Sequence, residues 1–169
     1  VGGHCIPVDP YYLTYASAKL GYDARVVLAG RGVNEKMAEF IADKVSVLIR
    51  PNVGVQSKAS VLLLGLAFKP NVSDVRNSKV MELANLLLGH DLDVDVYDPT
   101  VQHRLSDESD YRMTENPFTS NKAYDAVILA VPHDIFMDQK NRIVELDSYH
   151  GLVVDLVSAL DKKAVDSAG

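Results

Sequence analysis

Residues 60–68 read SVLLLGLAF, an apolar run unbroken after Ser60. A strand wetted on one face alternates apolar and polar residues, whereas a strand covered on both faces has no need to. The run therefore predicts a strand inside a sheet. Downstream, NSKVMELANLLLGH (77–90) has the spacing of an amphipathic helix, started by Asn77 or Ser78 and stopped by Gly89. DVDVYDP (93–99) alternates as a strand and ends at Pro99, and YDAVILAVPH (124–133) is another buried strand. DIFMDQKNRIVEL (134–146) predicts a helix and GLVVDLVSAL (151–160) a last strand. A polar stretch, about 100–122, carries only weak helix and turn signals. Strands and helices in alternation imply right-handed crossovers and a parallel sheet with helices on both faces. The fold class is α/β, with a Rossmann-like domain over about 55–169.

Upstream the texture is helical. Residues 1–8 are loop by their Gly and Pro content; Asp9 can cap a helix, Pro10 suits its first turn, and YYLTYASAKLG carries it to a stop at Gly21. A second helix is predicted over about 23–50, with Val26, Val33, Met37, Phe40, Ile41, Val45 and Leu48 at three- and four-residue steps, ended by Pro51 and Gly54. Residues 1–54 thus form a helical arm leading into the sheet domain. No internal repeat or low-complexity tract interrupts either part.

Composition narrows the function. Apolar residues make up 47% and charged residues 24% of 169, the balance of an ordinary globular protein. A net charge of −6 without a dense Lys/Arg run argues against a nucleic-acid partner. Runs such as VLLLGLAF and AVILAV fall far short of the ~20 residues of a membrane span. One cysteine cannot form an intramolecular disulfide, and no signal-peptide pattern is present, so a reducing cytoplasm is the expected compartment.

That cysteine stands in VGGHCIPVDPYY (1–12). A thiol just ahead of a helix meets the positive end of the helix dipole and unpaired N–H groups, both of which favour the reactive thiolate. His4 adds positive charge when protonated, and Gly2 and Gly3 allow close approach of backbone or ligand. Asp9 has two compatible readings, a helix cap or a carboxylate that orients water beside a cysteine-bound acyl group. Cys5 also has two: a nucleophile, or a small buried hydrophobe.

Three motifs carry a resemblance. GGHCIPVDPYYL resembles the catalytic cysteine loop of the UDP-glucose/GDP-mannose dehydrogenase family, whose pattern is Gly-Gly-x-Cys, three residues, then Asp; its His and DPYYL are similar to the UDP-N-acetylhexosamine branch serving capsule and O-antigen synthesis. LAGRGVNEKM (28–37) resembles that branch's next helix, and GLAFKPNVSDVRNS (65–78) resembles the signature of the family's C-terminal domain. The three occur in the family's order.

The resemblance implies oxidation of a sugar C6 alcohol to a carboxylate with two NAD⁺, through a thiohemiacetal and a thioester on the cysteine. It implies Cys5 as nucleophile and Asp9 as assistant to hydrolysis. Gly2 would let the loop close over substrate, and Cys5, Ile6, Pro7 and Val8 would lie against the nicotinamide. Phe68 and Lys69 would contact a UDP-sugar, Arg76 would reach NAD, and no metal is implied. Arg31 is a further candidate to approach the site from the long helix, across a dimer interface. A homodimer through helix 23–50 is expected, because a helix that apolar needs more partner surface than a small arm offers. The family's N-terminal dinucleotide-binding domain has no counterpart in these residues, so the chain alone is expected to fold but not to catalyse. VVDLVSAL (153–160) also lacks the Arg that some members use near nucleotide.

Two other readings stand beside this one. A self-sufficient, non-catalytic nucleotide-binding module would suit the α/β half, with Asp98 as ribose-binding acid, though GLAFKP lacks the three-glycine phosphate cradle. A cysteine hydrolase pairing Cys5 with His4 is disfavoured, because such partners converge from distant segments. His133 and Asp134 stand at a strand's carboxyl end, where ligand contact and simple helix capping explain them equally well.

Overall fold

In the computed structural model of the chain, which describes residues 2–49, 58–101, 110–163 and 165, the aliphatic run forms strand β1 (Ser60–Leu64), and Val61–Leu64 have no exposed surface. The other strands are β2 (Asp93–Tyr97), β3 (Arg112–Met113), β4 (Tyr124–Leu129) and β5 (Asp147–Asp155). They form one sheet in the order β3-β2-β1-β4-β5, with every neighbouring pair parallel. The expected α/β class with a parallel, Rossmann-like sheet is what the chain adopts.

Side chains on β1 explain why it does not alternate in polarity. Val61 and Leu63 enter one core together with Val94, Val96, Ala126 and Ile128. Leu62 and Leu64 enter the other with Tyr97, Val127, Leu129, Phe136 and Ile143. The first core is covered by α3 (Met37–Ile49) and α4 (Lys79–Gly89), the second by α5 (Asp134–Met137) and α6 (Lys140–Ile143). β2 was expected to alternate, yet Val94 through Tyr97 are all buried because both faces are covered. Asp95 meets that burial by ion pairs with Arg112 and with Lys122 at 2.6 Å, and by the Tyr124 hydroxyl at 2.9 Å.

The helical arm departs from expectation in two ways. The predicted helix over 23–50 is two helices, α2 (Arg25–Glu35) and α3, separated at Lys36, where ψ is −3° against the helical value of about −42°. Its predicted stop at Pro51 and Gly54 lies outside the described residues. The stripe that α3 buries is Ala38, Ala42, Val45, Ser46 and Ile49, while Val26, Val33, Met37, Phe40 and Leu48 face outward. Small residues at 38 and 42 let α3 approach α4 closely, and that selects a different face from the bulkiest one.

Asp9 is not a cap. It is the first residue of α1 (Asp9–Lys19), and the capping position is Val8, which makes no side-chain bond. The turn before the helix supplies the acceptor instead, since Val8 N–H and Asp9 N–H both donate to the Cys5 carbonyl, at 2.9 and 2.7 Å. The expected helix 134–146 is broken into α5, α6 and a 3₁₀ turn (Val144–Leu146). In the weak region, residues 102–109 lie outside the description, and the remainder contributes β3 and a 3₁₀ turn at Pro117–Thr119 capped by Asn116. No helix of the described residues is long and apolar enough to cross a membrane.

Candidate active site

β1 and β4 lie side by side, and the chain leaves β1 toward β2 but leaves β4 toward β5. Such a switch point opens a crevice at the carboxyl ends of the strands. Gly65 ends β1 with φ of +88°, and a Cβ there would lie 2.5 Å from the Cβ of Val131, so only glycine lets the two strand ends pass this closely. The floor of the crevice is a buried polar network around Asp98, at the end of β2. Its Oδ2 accepts from Leu66 N–H at 2.7 Å and Ala67 N–H at 2.9 Å, and faces His133 Nε2 at 3.1 Å. Its Oδ1 accepts from Thr100 N–H at 2.8 Å. His133 Nδ1 accepts from Asn71 N–H at 3.0 Å, so Nε2 carries the ring hydrogen and donates to Asp98. Burial alone would raise the Asp98 carboxyl; the hydrogen bonds from His133, Leu66, Ala67 and Thr100 outweigh it and hold the group well below the usual carboxylate range.

This network grips both ends of the segment that carries Phe68 and Lys69. Phe68 is half-buried and Lys69 exposed, its ammonium 5.4 Å from the Phe68 ring centroid and in no ion pair among the described residues. Farther along, Asp74 receives Arg76 Nη2 at 2.8 Å and Arg76 N–H at 3.0 Å. Those bonds outweigh partial desolvation and hold Asp74 well below the usual range. The Arg76 guanidinium remains 70% exposed.

The cysteine loop sits on this segment. Gly3 has φ of +106°, and a Cβ on it would lie 3.0 Å from the Phe68 ring; one on Gly2 would lie 2.4 Å from the Asn77 carbonyl oxygen. Asn77 Nδ2 donates to the Gly3 carbonyl at 3.0 Å, and His4 stacks edge-on to Phe68 with Nε2 3.3 Å from Asp74 Oδ2. Cys5 follows, exposed, in the turn four residues ahead of eleven-residue α1. Beside it lies a mostly apolar cavity of about 460 Å³ lined by Cys5, Ile6, Asp9, Pro10, Leu13 and Val27. Asp9 is exposed, and its carboxylate has no hydrogen-bond or ion-pair partner among the described residues.

Across Pro7 and Val8 a second cavity, about 400 Å³, is bounded by Tyr11, Glu35, Asn77 and Lys79. Glu35 ties the arm to the sheet domain, accepting from Lys79 at 2.5 Å and from Arg31; the Lys79 bond comes first among the causes that lower its carboxyl. Arg31 is buried against Tyr11 and Glu35.

Gly2 therefore rests on Asn77 and Gly3 on Phe68, and Cys5 shares its cavity with Ile6 and Asp9 rather than with Phe68, while Pro7 and Val8 border the second cavity. Lys69 and Arg76 line neither of these cavities and present exposed charge on the same loop. Sequence reasoning read Asn77 only as a helix start and Asp74 only as part of the GLAFKPNVSDVRNS signature, and it left His133 and Asp98 without a firm role. The signals were an acid at the end of an apolar strand and an Asn, a residue that tolerates the left-handed φ of 53° found at position 77. In the VVDLVSAL stretch the Asp155 carboxylate accepts from Val157 N–H and Leu160 N–H, so it closes its own turn.

Known proteins share this chain's sequence and fold. Residues 62–162 match the UDP binding domain of the UDP-glucose/GDP-mannose dehydrogenase family, and residues 1–36 match its central domain. The UDP-N-acetyl-D-glucosamine 6-dehydrogenase of Pseudomonas aeruginosa is 38% identical over 98% of this chain and 39% of its own length. Protein CapL of Staphylococcus aureus is 39% identical over 92% of this chain and 37% of its own. The solved UDP-D-ManNAc dehydrogenase of Pyrococcus horikoshii superposes with a TM-score of 0.76 at 25% identity, covering 96% of this chain and 36% of that one. The chain thus spans less than two fifths of each of these relatives. By the match over most of its length and by the sheet, loop and motif order described above, it belongs to the UDP-glucose/GDP-mannose dehydrogenase family.

Proposed function

We propose that the protein containing this chain is an NAD-dependent UDP-N-acetylhexosamine 6-dehydrogenase of surface-polysaccharide synthesis, working in a reducing cytoplasm. The observation that carries this reading is an exposed thiol, on a loop seated directly upon the Phe68 loop at the sheet's switch point, with a free carboxylate on the wall of the same cavity. Phe68 and Lys69 hold the UDP-sugar, the aromatic face by stacking and the unpaired ammonium as counter-charge. When the sugar C6 has reached the aldehyde, the Cys5 thiolate adds to its carbonyl carbon and forms a thiohemiacetal. Oxidation of that adduct gives a thioester. Asp9 takes a proton from water as it attacks the thioester, releasing the carboxylate and restoring the thiolate.

NAD, when bound, would supply the hydride acceptor for both oxidations. The residues here suit it: the apolar walls beside Ile6 fit a flat ring, and Arg76, whose Nε and Nη2 are held by Asp74, keeps a largely exposed guanidinium whose remaining N–H groups fit phosphate oxygens. Pro7 and Val8, also assigned to the cofactor, border the second cavity beside Tyr11. The chain alone binds UDP without turnover, and outward-facing Tyr12, Val26, Val33, Phe40 and Leu48 on α1–α3 form a homodimer contact.

The test is NADH formation by the full-length protein with UDP-GlcNAc, UDP-GalNAc and UDP-ManNAc. Cys5→Ser is expected to stall after the aldehyde or to trap a stable ester. Full turnover by that variant would contradict the assignment.

A further inference from the structure

We propose that Asp74 and Asn77 are positioning residues that clamp the cysteine loop, so that the loop holding the nucleotide sugar also sets where Cys5 stands. The proposal rests on the functional reading above for its catalytic meaning, but the clamp itself is a matter of geometry. Each of the three residues before Cys5 is held by the same segment. The Gly2 backbone abuts the Asn77 carbonyl so closely that no Cβ fits between them. The Gly3 carbonyl takes the Asn77 carboxamide at 3.0 Å, and its Cα lies against the Phe68 ring. His4 reaches Asp74 at 3.3 Å. On the other side of Cys5, the bonds from Val8 and Asp9 N–H to its carbonyl lead straight into α1. The thiol is thereby fixed between a helix start and a clamp.

Both clamping side chains are themselves aimed. Asn77 stands at a left-handed φ of 53°, directly before Ser78, whose hydroxyl donates to the Leu66 carbonyl at 2.7 Å. Asp74 is held by Arg76, and its carbonyl accepts from Phe68 N–H at 3.1 Å. Phe68 is thus shared, a platform for Gly3 on one side and a ligand contact in the proposed function. Neither Asp74 nor Asn77 belongs to a hydrophobic core, so their loss should loosen the loop without unfolding the chain.

Hydrogen–deuterium exchange of this chain tests the clamp without any ligand. Asn77→Gly keeps the left-handed backbone and removes the carboxamide; Asn77→Asp keeps the shape but sets a carboxylate oxygen against the Gly3 carbonyl in place of the donor; Asp74→Asn removes the charge facing His4. Exchange over residues 2–9 is expected to rise roughly five-fold in either Asn77 variant, the loss of one net hydrogen bond, and further when combined with Asp74→Asn. Exchange in β1 and β4 should not change. Alkylation by iodoacetamide, which reads Cys5 alone because it is the chain's one cysteine, should change rate in parallel. Unaltered exchange over residues 2–9 in both Asn77 variants and in the combination would overturn the clamp.

In the full-length enzyme the same variants should lower kcat with KM for the UDP-sugar unchanged. A raised KM with unchanged kcat would overturn the positioning role and assign these residues to substrate binding. Failure of the wild-type chain to bind UDP by calorimetry would instead sink the functional reading while leaving the exchange result standing.

Discussion

Asp98 has no exposed surface, and burying a carboxylate costs more than most single contacts return. It is retained because both oxygens are filled by donors: two backbone N–H groups, the His133 ring and Thr100. Asp98→Asn places an NH₂ against one set of those donors, and a loss of about 3 kcal/mol is expected. The sign of the pH dependence follows from the direction of its shift. With the folded carboxyl held below the ordinary value of about 4, the unfolded chain binds the proton first as pH falls. The contribution of Asp98 is therefore complete above about pH 4 and is lost on further acidification. Asp74, Asp95 and Glu35 act in the same direction, and Asp147, raised by burial, acts against them. Urea midpoints measured from pH 6 to pH 3 should fall for the wild type and fall less steeply for Asp98→Asn. Equal slopes would show that Asp98 does not carry this linkage.

At the scale of elements, α4 shows how one hydroxyl joins a helix to the site. Ser78 Oγ accepts from Val80 N–H at 3.2 Å, capping the helix, and donates to the Leu66 carbonyl at 2.7 Å. Ser78→Ala removes both bonds, for which about 1 kcal/mol each is expected. Thermal melts should show that loss, with Ser78→Thr recovering most of it. This start signal was legible in the sequence, as was the stop near Gly89, because both are local chemistry. β1 and β4 were legible for a related reason: an aliphatic run with no polar alternation admits few placements. The division at Lys36 was not, since it is a dihedral change inside a periodic pattern. Nor was the buried face of α3, where alanines chosen for close approach outrank the larger Phe40 and Leu48. The cysteine could be singled out from its glycines and the following helix. Its clamp could not, because Gly3 and Asn77 are 74 residues apart and meet only once the sheet has formed.

At the scale of the whole molecule, the arm and the sheet domain differ in how they treat apolar surface. The sheet domain hides its aliphatic residues in two cores, whereas α1–α3 present Tyr12, Tyr15, Val26, Val33, Phe40 and Leu48 to solvent. The proposed homodimer contact would cover these side chains. Sedimentation at micromolar concentration is expected to show a dimer, and Phe40→Glu with Leu48→Glu to return it to monomer. A strict monomer at all concentrations would refute the contact. α3 belongs to both worlds, since its opposite side is part of the first core with Leu83, Ala84 and Leu87 of α4. Val45 and Ile49 alone, almost wholly buried, contribute roughly 3–6 kcal/mol, comparable with the 5–15 kcal/mol that holds a typical domain together. Trimming a recombinant gene to the portion that begins at β1 would strip that roof from α4 and yield an aggregating product. A soluble, crystallisable unit has to start ahead of Met37.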